Sequence, residues 1–282
     1  MPALITETDG ILTLTLNEPR RRNAISPAVT EGLWQALDAL IDRDDLRCLV
    51  ITSTGSFFSS GIDLRFGAGR RRGTPESPQP WNGWHYRRNY RSHHRLYDEF
   101  EAVEKPIVLA APGPVIGAGL EMALSCDFRF CSPNAFWQLP EVKLGAIAGS
   151  GGVSRLTRTV GPHWARWIAM AARPVDAEQA VRIGLVHAVY PEETFLDDVY
   201  AFCKDLNALP AEAVGLSKLT IDLSGSVSGR EEQRNVDRIA NTTLRVRTSE
   251  FEERTSRFRR SDEALADSND GVPQSPNPRP LS

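Results

Sequence analysis

Two glutamates have the surroundings expected of groups that move protons. Glu121 follows Gly117-Ala118-Gly119-Leu120 and sits early in an otherwise apolar helical pattern, Leu120 to Cys126. Glu141 comes twenty residues later, between Pro140 and Val142, with Leu139 and Leu144 close by. A carboxylate among apolar neighbours keeps its proton to higher pH, because burial disfavours the charged form. Two such groups facing one site can divide the work, one as acid and one as base. The blander reading is a pair of solvated glutamates, the usual situation of this residue type. The residue pattern by itself leaves both readings open.

The glycines nearby point to a second kind of chemistry. An apolar run, Ile107 to Ala111, feeds Pro112-Gly113-Pro114-Val115-Ile116-Gly117, and the helical pattern opens directly after it. A strand that ends in a glycine turn and enters a helix aims unsatisfied N–H groups at whatever sits there. Phe57-Phe58-Ser59-Ser60-Gly61-Ile62-Asp63-Leu64 is a second stretch of small residues able to expose N–H groups, with Gly61 supplying backbone freedom. Gly113, Gly117 and Gly119 with an acid further on also have the look of a dinucleotide-binding fingerprint. Three features oppose that: the mid-chain position, the stiffening prolines 112 and 114, and the proline before Glu141.

Other clusters carry weaker signals. Arg20-Arg21-Arg22 and Arg70-Arg71-Arg72 read as solvated turns or as contacts to a phosphorylated ligand. Trp81, Trp84, Tyr86 and Tyr90 either pack within a loop or wall a pocket. His93-His94 has no neighbouring serine or cysteine motif to act on, so a structural or surface role is expected. No G-x-S-x-G elbow occurs. The four cysteines lack C-x-x-C pairing and the five histidines lack ligand spacing, which argues for reduced thiols in a cytoplasmic protein and against a metal. A net charge of −3 over 282 residues gives no field favouring nucleic acid or membrane. No apolar run is long enough to span a bilayer, and no signal-peptide core opens the chain.

The elements that must hold these groups follow from periodicity. Ile11 to Leu16 alternates as a strand. Ser26 is a good N-cap with Pro27 at the first helical position, and Val29, Leu33, Ala36, Leu37 and Leu40 carry the helix to about Asp42. Strands are expected at 46–51, 107–111, 128–131 and 185–189. Residues 65–95 read as a long loop with a Pro-rich piece. A helix begins near Trp81 or later and runs through Leu96 and Phe100 to Val103, closed by Lys105-Pro106. Helices are expected from Ser150-Gly151-Gly152, after Pro162, and from the capping box Asp176 to Gln179 with Gly184 as its stop. Residues 193–260 are mostly helical in pattern, and the polar, proline-rich end reads as disordered. The sum is an α/β core with a helical C-terminal extension.

Taken in order, several stretches together resemble the crotonase family, the enoyl-CoA hydratase/isomerase superfamily. They are Asn17-Glu18-Pro19 with Asn23-Ala24-Ile25, Phe58 to Leu64, Lys105-Pro106, Gly117 to Glu121, Ser125-Cys126-Asp127, Pro140 to Gly145, and Gly149 to Gly152. The resemblance runs from about Ile11 to Val189 and continues more weakly to about Arg260. It implies a crotonase-like spiral of ββα units over 1–200, a C-terminal helical trimerisation region over 201–262 and a disordered tail over 263–282. It also implies a homotrimer or hexamer.

The implied activity is addition of water to a 2-enoyl-CoA thioester. By motif position, the backbone N–H groups of Ser60 and Ala118 would grip the thioester oxygen. Glu141 would be the main proton donor to the α-carbon, and Glu121 would orient and activate water. Isomerases of this family generally need only the carboxylate at the Glu141 position, so isomerisation or C–C cleavage on the same enolate remains the alternative. A non-catalytic CoA- or RNA-binding scaffold is the third. Implied substrate contacts are Arg22, Phe58, Ser59, Gly61, Ile62, Asp63, Leu64, Gly117, Gly119 and Trp84, with Arg22 and the backbone near Phe58 to Ser60 on the CoA nucleotide. No metal and no cofactor are expected, since coenzyme A arrives as part of the substrate. Ser60 stands for a usual alanine, Ala118 for a usual glycine and Ala148-Gly149 for a usual Pro-Gly. The long aromatic stretch at 65–95 allows a bulky, ring-containing or branched acyl group.

Overall fold

The structure is a computed structural model that describes residues 1–65, 72–74, 77–79, 93–226, 229–247, 253 and 255–256. The aromatic and arginine-rich cluster around Trp81, Trp84, Tyr86 and Tyr90 lies outside the described residues, as does the start of the helix expected near Trp81.

The alternating run Ile11–Leu16 forms β2, with every side chain but Thr15 buried. It pairs antiparallel with an edge strand, β1 (Ala3–Thr8), and parallel with β3 (Cys48–Ser53). The sequence pattern does not announce β1, since only Ala3 and Leu4 are even partly buried. Beyond a short hairpin of β4 (Arg72–Thr74) and β5 (Ser77–Gln79), the apolar run Ile107–Ala111 forms β6, fully buried between β3 and β8 (Phe128–Cys131). Strand β7 (Val115–Ile116) pairs with β9 (Phe136–Gln138), which in turn pairs with β10 (Val175–Asp176). Strand β11 (Ala188–Val189) closes the main sheet, whose order is β1-β2-β3-β6-β8-β11. Buried on both faces, the parallel strands are near-continuously apolar, as sheets covered by helices require.

One move recurs along this chain. A main-sheet strand ends, a short extended piece joins a second layer, and a helix follows. Bridges Ile25↔Ile62 and Ser59↔Val115 extend the β10-β9-β7 layer, so the second layer is a ladder built from successive turns of a spiral. The helices are Pro27–Asp42, His93–Ala102, Ala118–Leu124 and Gly152–Ala165. The first begins as expected, with Ser26 Oγ accepting the Val29 N–H at 3.3 Å. Its C-terminus is closed by Lys105, whose Nζ donates to the Leu40 and Arg43 carbonyls at 2.7 Å each. Asp127 ties β6 to the helical part: its Oδ2 accepts the Ile107 N–H at 2.7 Å and Lys218 Nζ at 2.9 Å.

The chain divides into two compact units, Met1–Asp222 and Leu223–Ser282. The first includes the helices Ala177–Arg182 and Phe195–Asn207 and most of Ala211–Ser226. The second contains the helix Arg230–Arg247, with Glu231 and Glu232 in its first turn where they offset the helix dipole. Among the described residues, no helix is long and apolar enough to cross a membrane.

Candidate active site

Successive turns of the spiral deliver the candidate groups to one place. The segment Phe58–Ile62 runs beside Pro114–Ala118. The Phe58 and Ser59 N–H groups donate to the Pro114 carbonyl at 3.1 and 3.2 Å, and the Ile116 N–H returns to the Ser59 carbonyl at 3.0 Å. A methyl group placed on Gly61 would lie 3.4 Å from the Ala118 nitrogen, so the two turns are in contact. The next turn is attached in the same way: the Gly117 N–H donates to the Gln138 carbonyl at 2.9 Å, and β9 leads through Leu139-Pro140 into the 3-10 helix Glu141–Leu144.

Both glutamates converge on this spot. Glu141 Oε1 is 3.0 Å from where a Gly117 side chain would start, and Gly117 has φ +56°. A side chain there would be strained and would displace the carboxylate. Glu141 Oε2 is buried and makes no hydrogen bond among the described residues. Glu121, in the first turn of Ala118–Leu124, is 4% exposed, and its Oε1 accepts the Ser150 N–H at 2.7 Å. Burial pushes Glu121 up to about 7, the Ser150 N–H pulls it back, and the nearby Glu141 charge raises it again. Burial also raises Glu141. Both carboxylates therefore hold protons more tightly than solvated ones do.

This has a stability consequence. Glu121 titrates near 4.5 when unfolded and near 7 when folded. Between those values the native state binds the extra proton, so unfolding free energy falls as pH rises through the window. Relative to Glu121→Gln, the wild type should lose about 3 kcal/mol between pH 4.5 and 7.5. Urea unfolding of both proteins across that range checks this; parallel curves would contradict it.

The backbone donors are not quite those expected. Ser60 N–H is not available to a ligand, because it donates to the Arg22 carbonyl at 2.9 Å. The next N–H, at Gly61, lies 3.2 Å from Ser59 Oγ. Neither the Ile62 nor the Ala118 N–H makes a hydrogen bond among the described residues. Ile62 bridges Ile25 through its flanking groups, Gly61 C=O and Asp63 N–H, so its own N–H faces the other way. The vacant pair is Ile62 and Ala118, with Ile62 replacing Ser60.

Several other expected contacts are engaged within the chain. Phe58 is fully buried in the core. The N–H groups of Phe58, Ser59 and Ser60 are all taken within the chain, which removes them as donors to a CoA nucleotide. Ser59 Oγ donates to the Asn23 carbonyl at 2.8 Å. Asn23 is itself buried, and its amide donates to the Thr54 and Phe57 carbonyls at 2.8 Å each, which explains why Asn23-Ala24-Ile25 travels with this loop. Gly119 packs on Ser59. Asp63 is gripped by Arg65, which holds its carboxyl below the usual range. Leu64 is exposed, and Arg22 is exposed with its guanidinium over the Phe57 ring at 5.1 Å. Trp84 lies outside the described residues. Sequence reasoning missed Ser150 and His94, whose Nδ1 lies 2.7 Å from Ser150 Oγ. Among the described residues no group of His, Cys, Asp or Glu could hold a metal ion. A cavity of about 800 Å³ near Asp127, Arg129, His187 and Lys218 includes neither Glu121 nor Glu141 and is separate from this site.

Comparison with known proteins identifies the family. The family model for enoyl-CoA hydratase/isomerase matches residues 6–258, and the chain belongs to that family. It is 32% identical over 195 residues to the 2,3-dehydroadipyl-CoA hydratase of Escherichia coli, covering 69% of this chain and 71% of that protein. It is 29% identical over 213 residues to the mitochondrial Delta(3,5)-Delta(2,4)-dienoyl-CoA isomerase of Rattus norvegicus, covering 75% of this chain but only 65% of the relative. An enoyl-CoA hydratase structure from Bacillus anthracis superposes with a TM-score of 0.83 over 93% of this chain and 97% of that one, at 24% identity, which speaks for the fold.

Proposed function

We propose that this protein is a hydro-lyase, an enoyl-CoA hydratase that adds water across the 2,3-double bond of a 2-enoyl-CoA. The observation that carries the reading is that Glu121, on the turn whose Ala118 N–H is vacant, and Glu141, from the next turn, both reach that turn. The thioester oxygen accepts from the Ile62 and Ala118 N–H groups, which stabilise the enolate charge as it forms. Water sits between the carboxylates. Glu121 takes one proton from it as the oxygen bonds to C3, the C2–C3 π pair moves toward the carbonyl, and Glu141 delivers a proton to C2. A proton must then pass from Glu121 back to Glu141 before the next turnover.

The division of roles rests on hydrogen bonding. Ser150 N–H stabilises charge on Glu121, whereas nothing among the described residues donates to Glu141 Oε2. Burial works the other way, raising Glu121 to about 7, with the Glu141 charge a smaller contribution in the same direction. No cofactor enters this scheme; coenzyme A is part of the substrate.

Self-association as a trimer or hexamer belongs to the same reading. The 3-10 helix that carries Glu141 packs on the π-helix Arg166–Met170. Val142, Leu144, Ile147, Trp167 and Met170 are exposed, an apolar surface more typical of an interface than of a free monomer.

The test is the product. Crotonyl-, longer-chain and aromatic enoyl-CoA substrates are incubated with the protein and followed by mass spectrometry. A product heavier by one water is expected. Conversion to an isomer of unchanged mass would favour the isomerase reading instead.

A further inference from the structure

The helix His93–Ala102 carries His94, Asp98 and Glu101 at spacings of four and three, which puts them on one face. That face meets the turn that opens the helix Gly152–Ala165. Asp98 and Glu101 hold Arg155 Nη2 at 2.7 and 2.6 Å. Arg155 Nη1 donates to the Ser150 carbonyl at 2.7 Å, and His94 Nδ1 lies 2.7 Å from Ser150 Oγ. Ser150 is 4% exposed, and its N–H is the group that donates to Glu121. The helix thus holds the carbonyl of this serine through Arg155 and its hydroxyl through His94, while the N–H is spent on Glu121.

We propose that His94 is a positioning residue for Glu121, acting through the Ser150 hydroxyl; the inference rests on the role given to Glu121 above. An ionised carboxylate can only accept hydrogen bonds. The Ser150 N–H supplies such a bond to Oε1 and favours the charged form, and the hydroxyl that His94 holds fixes where that N–H points. The 2.7 Å contact between His94 Nδ1 and Ser150 Oγ is that anchor, whichever of the two atoms donates. Burial holds the His94 ring below its ordinary value, so it stays neutral and carries one N–H. Among the described residues, the titratable and charged groups facing the pair are His93, Tyr97, Asp98 and Glu101 from the same helix, Arg155 from Gly152–Ala165 and Glu141 from the 3-10 helix. His93, its ring 4.3 Å from that of His94, is pushed by burial down to about 4 and stays neutral as Glu121 titrates.

The experiment uses the full chain, with Ser150→Ala, His94→Phe, their combination and His94→Asn. Two readouts are taken: the pH profile of kcat on crotonyl-CoA, and the titration of the Glu121 carboxyl by isotope-edited infrared difference against Glu121→Gln. Ser150→Ala and His94→Phe should each lower kcat about tenfold, the effect of misplacing one hydrogen-bond donor to a charged group. KM should stay within about threefold, and both the ascending limb of the profile and the Glu121 titration should move to higher pH. The double variant should be no worse than either single one, because both remove the same contact. His94→Asn, whose amide N–H reaches the place of Nδ1, should restore most of kcat. An unshifted Glu121 titration in Ser150→Ala and His94→Phe, additive losses, or His94→Asn as impaired as His94→Phe would overturn the proposal. If the wild type hydrates no enoyl-CoA, the hydratase reading fails by itself, and the Glu121 titration still decides the His94 linkage.

Discussion

Glu141→Gln should lower the hydration rate by about 10²–10⁴, the usual worth of a general acid or base, and leave the fold unchanged. Glutamine keeps the size and shape of the side chain, so the contact with Gly117 survives. What it loses is the proton that C2 must receive. Glu121 does not substitute for it, since that carboxylate is tied to Ser150 and is assigned to the water oxygen side. The loss should fall on kcat with KM changed little, because the carboxyl acts in the transition state more than in binding. Circular dichroism and thermal unfolding check the fold, and steady-state kinetics on crotonyl-CoA check the rate. Turnover near that of the wild type would remove Glu141 from the chemistry.

Glu121→Ala is the second large effect and the one that separates the reaction classes. A hydratase needs a base for water, so hydration should fall by about 10² or more. Shifting a double bond moves a proton between carbons and can proceed on Glu141 alone, so an isomerase should largely survive. Both rates can be measured on one preparation, with a 2-enoyl and a 3-enoyl thioester. The same truncation removes a buried carboxylate that titrates near 7, so stability at pH 8 should not collapse with activity. A variant that retains hydration would show that Glu121 is scaffold.

Much of this was legible from residue order, and the failures have physical causes. The strands Ile11–Leu16, Ile107–Ala111 and Phe128–Cys131 lie where their apolar patterns put them, and the helix Pro27–Asp42 starts at its cap. The strand expected at 46–51 is displaced to Cys48–Ser53, because Leu46 closes a turn onto the Arg43 carbonyl before it. The second layer was not legible. Its strands are two or three residues long, and isolated bridges at Ile25, Ser59 and Ile62 complete it, too little for any periodicity.

Glycine turns and apolar company singled out the two acids but left a solvated reading open, and the family resemblance chose between them. The donor on the other side of the site was misplaced by two residues. Whether Ser60 or Ile62 offers its N–H depends on which way each peptide faces, and only the hydrogen bonds to Arg22 and Ile25 decide that. His94 was read as having nothing to act on, since its partner Ser150 stands 56 positions away in sequence and is brought close only by helix packing.

The central claim is that the N–H groups of Ile62 and Ala118 hold the oxygen on which charge develops. It is tested most directly by exchanging single residues for their α-hydroxy acids, which places an ester oxygen where each N–H stood and alters little else. At Ile62 or at Ala118 the exchange should lower kcat by about 10²–10³, equivalent to about 2.7–4 kcal/mol of lost transition-state stabilisation. At Ser60, whose N–H serves the Arg22 carbonyl, it should cost about 1 kcal/mol of stability and leave kcat little changed. A large loss of kcat at Ser60 with Ile62 indifferent would contradict the account.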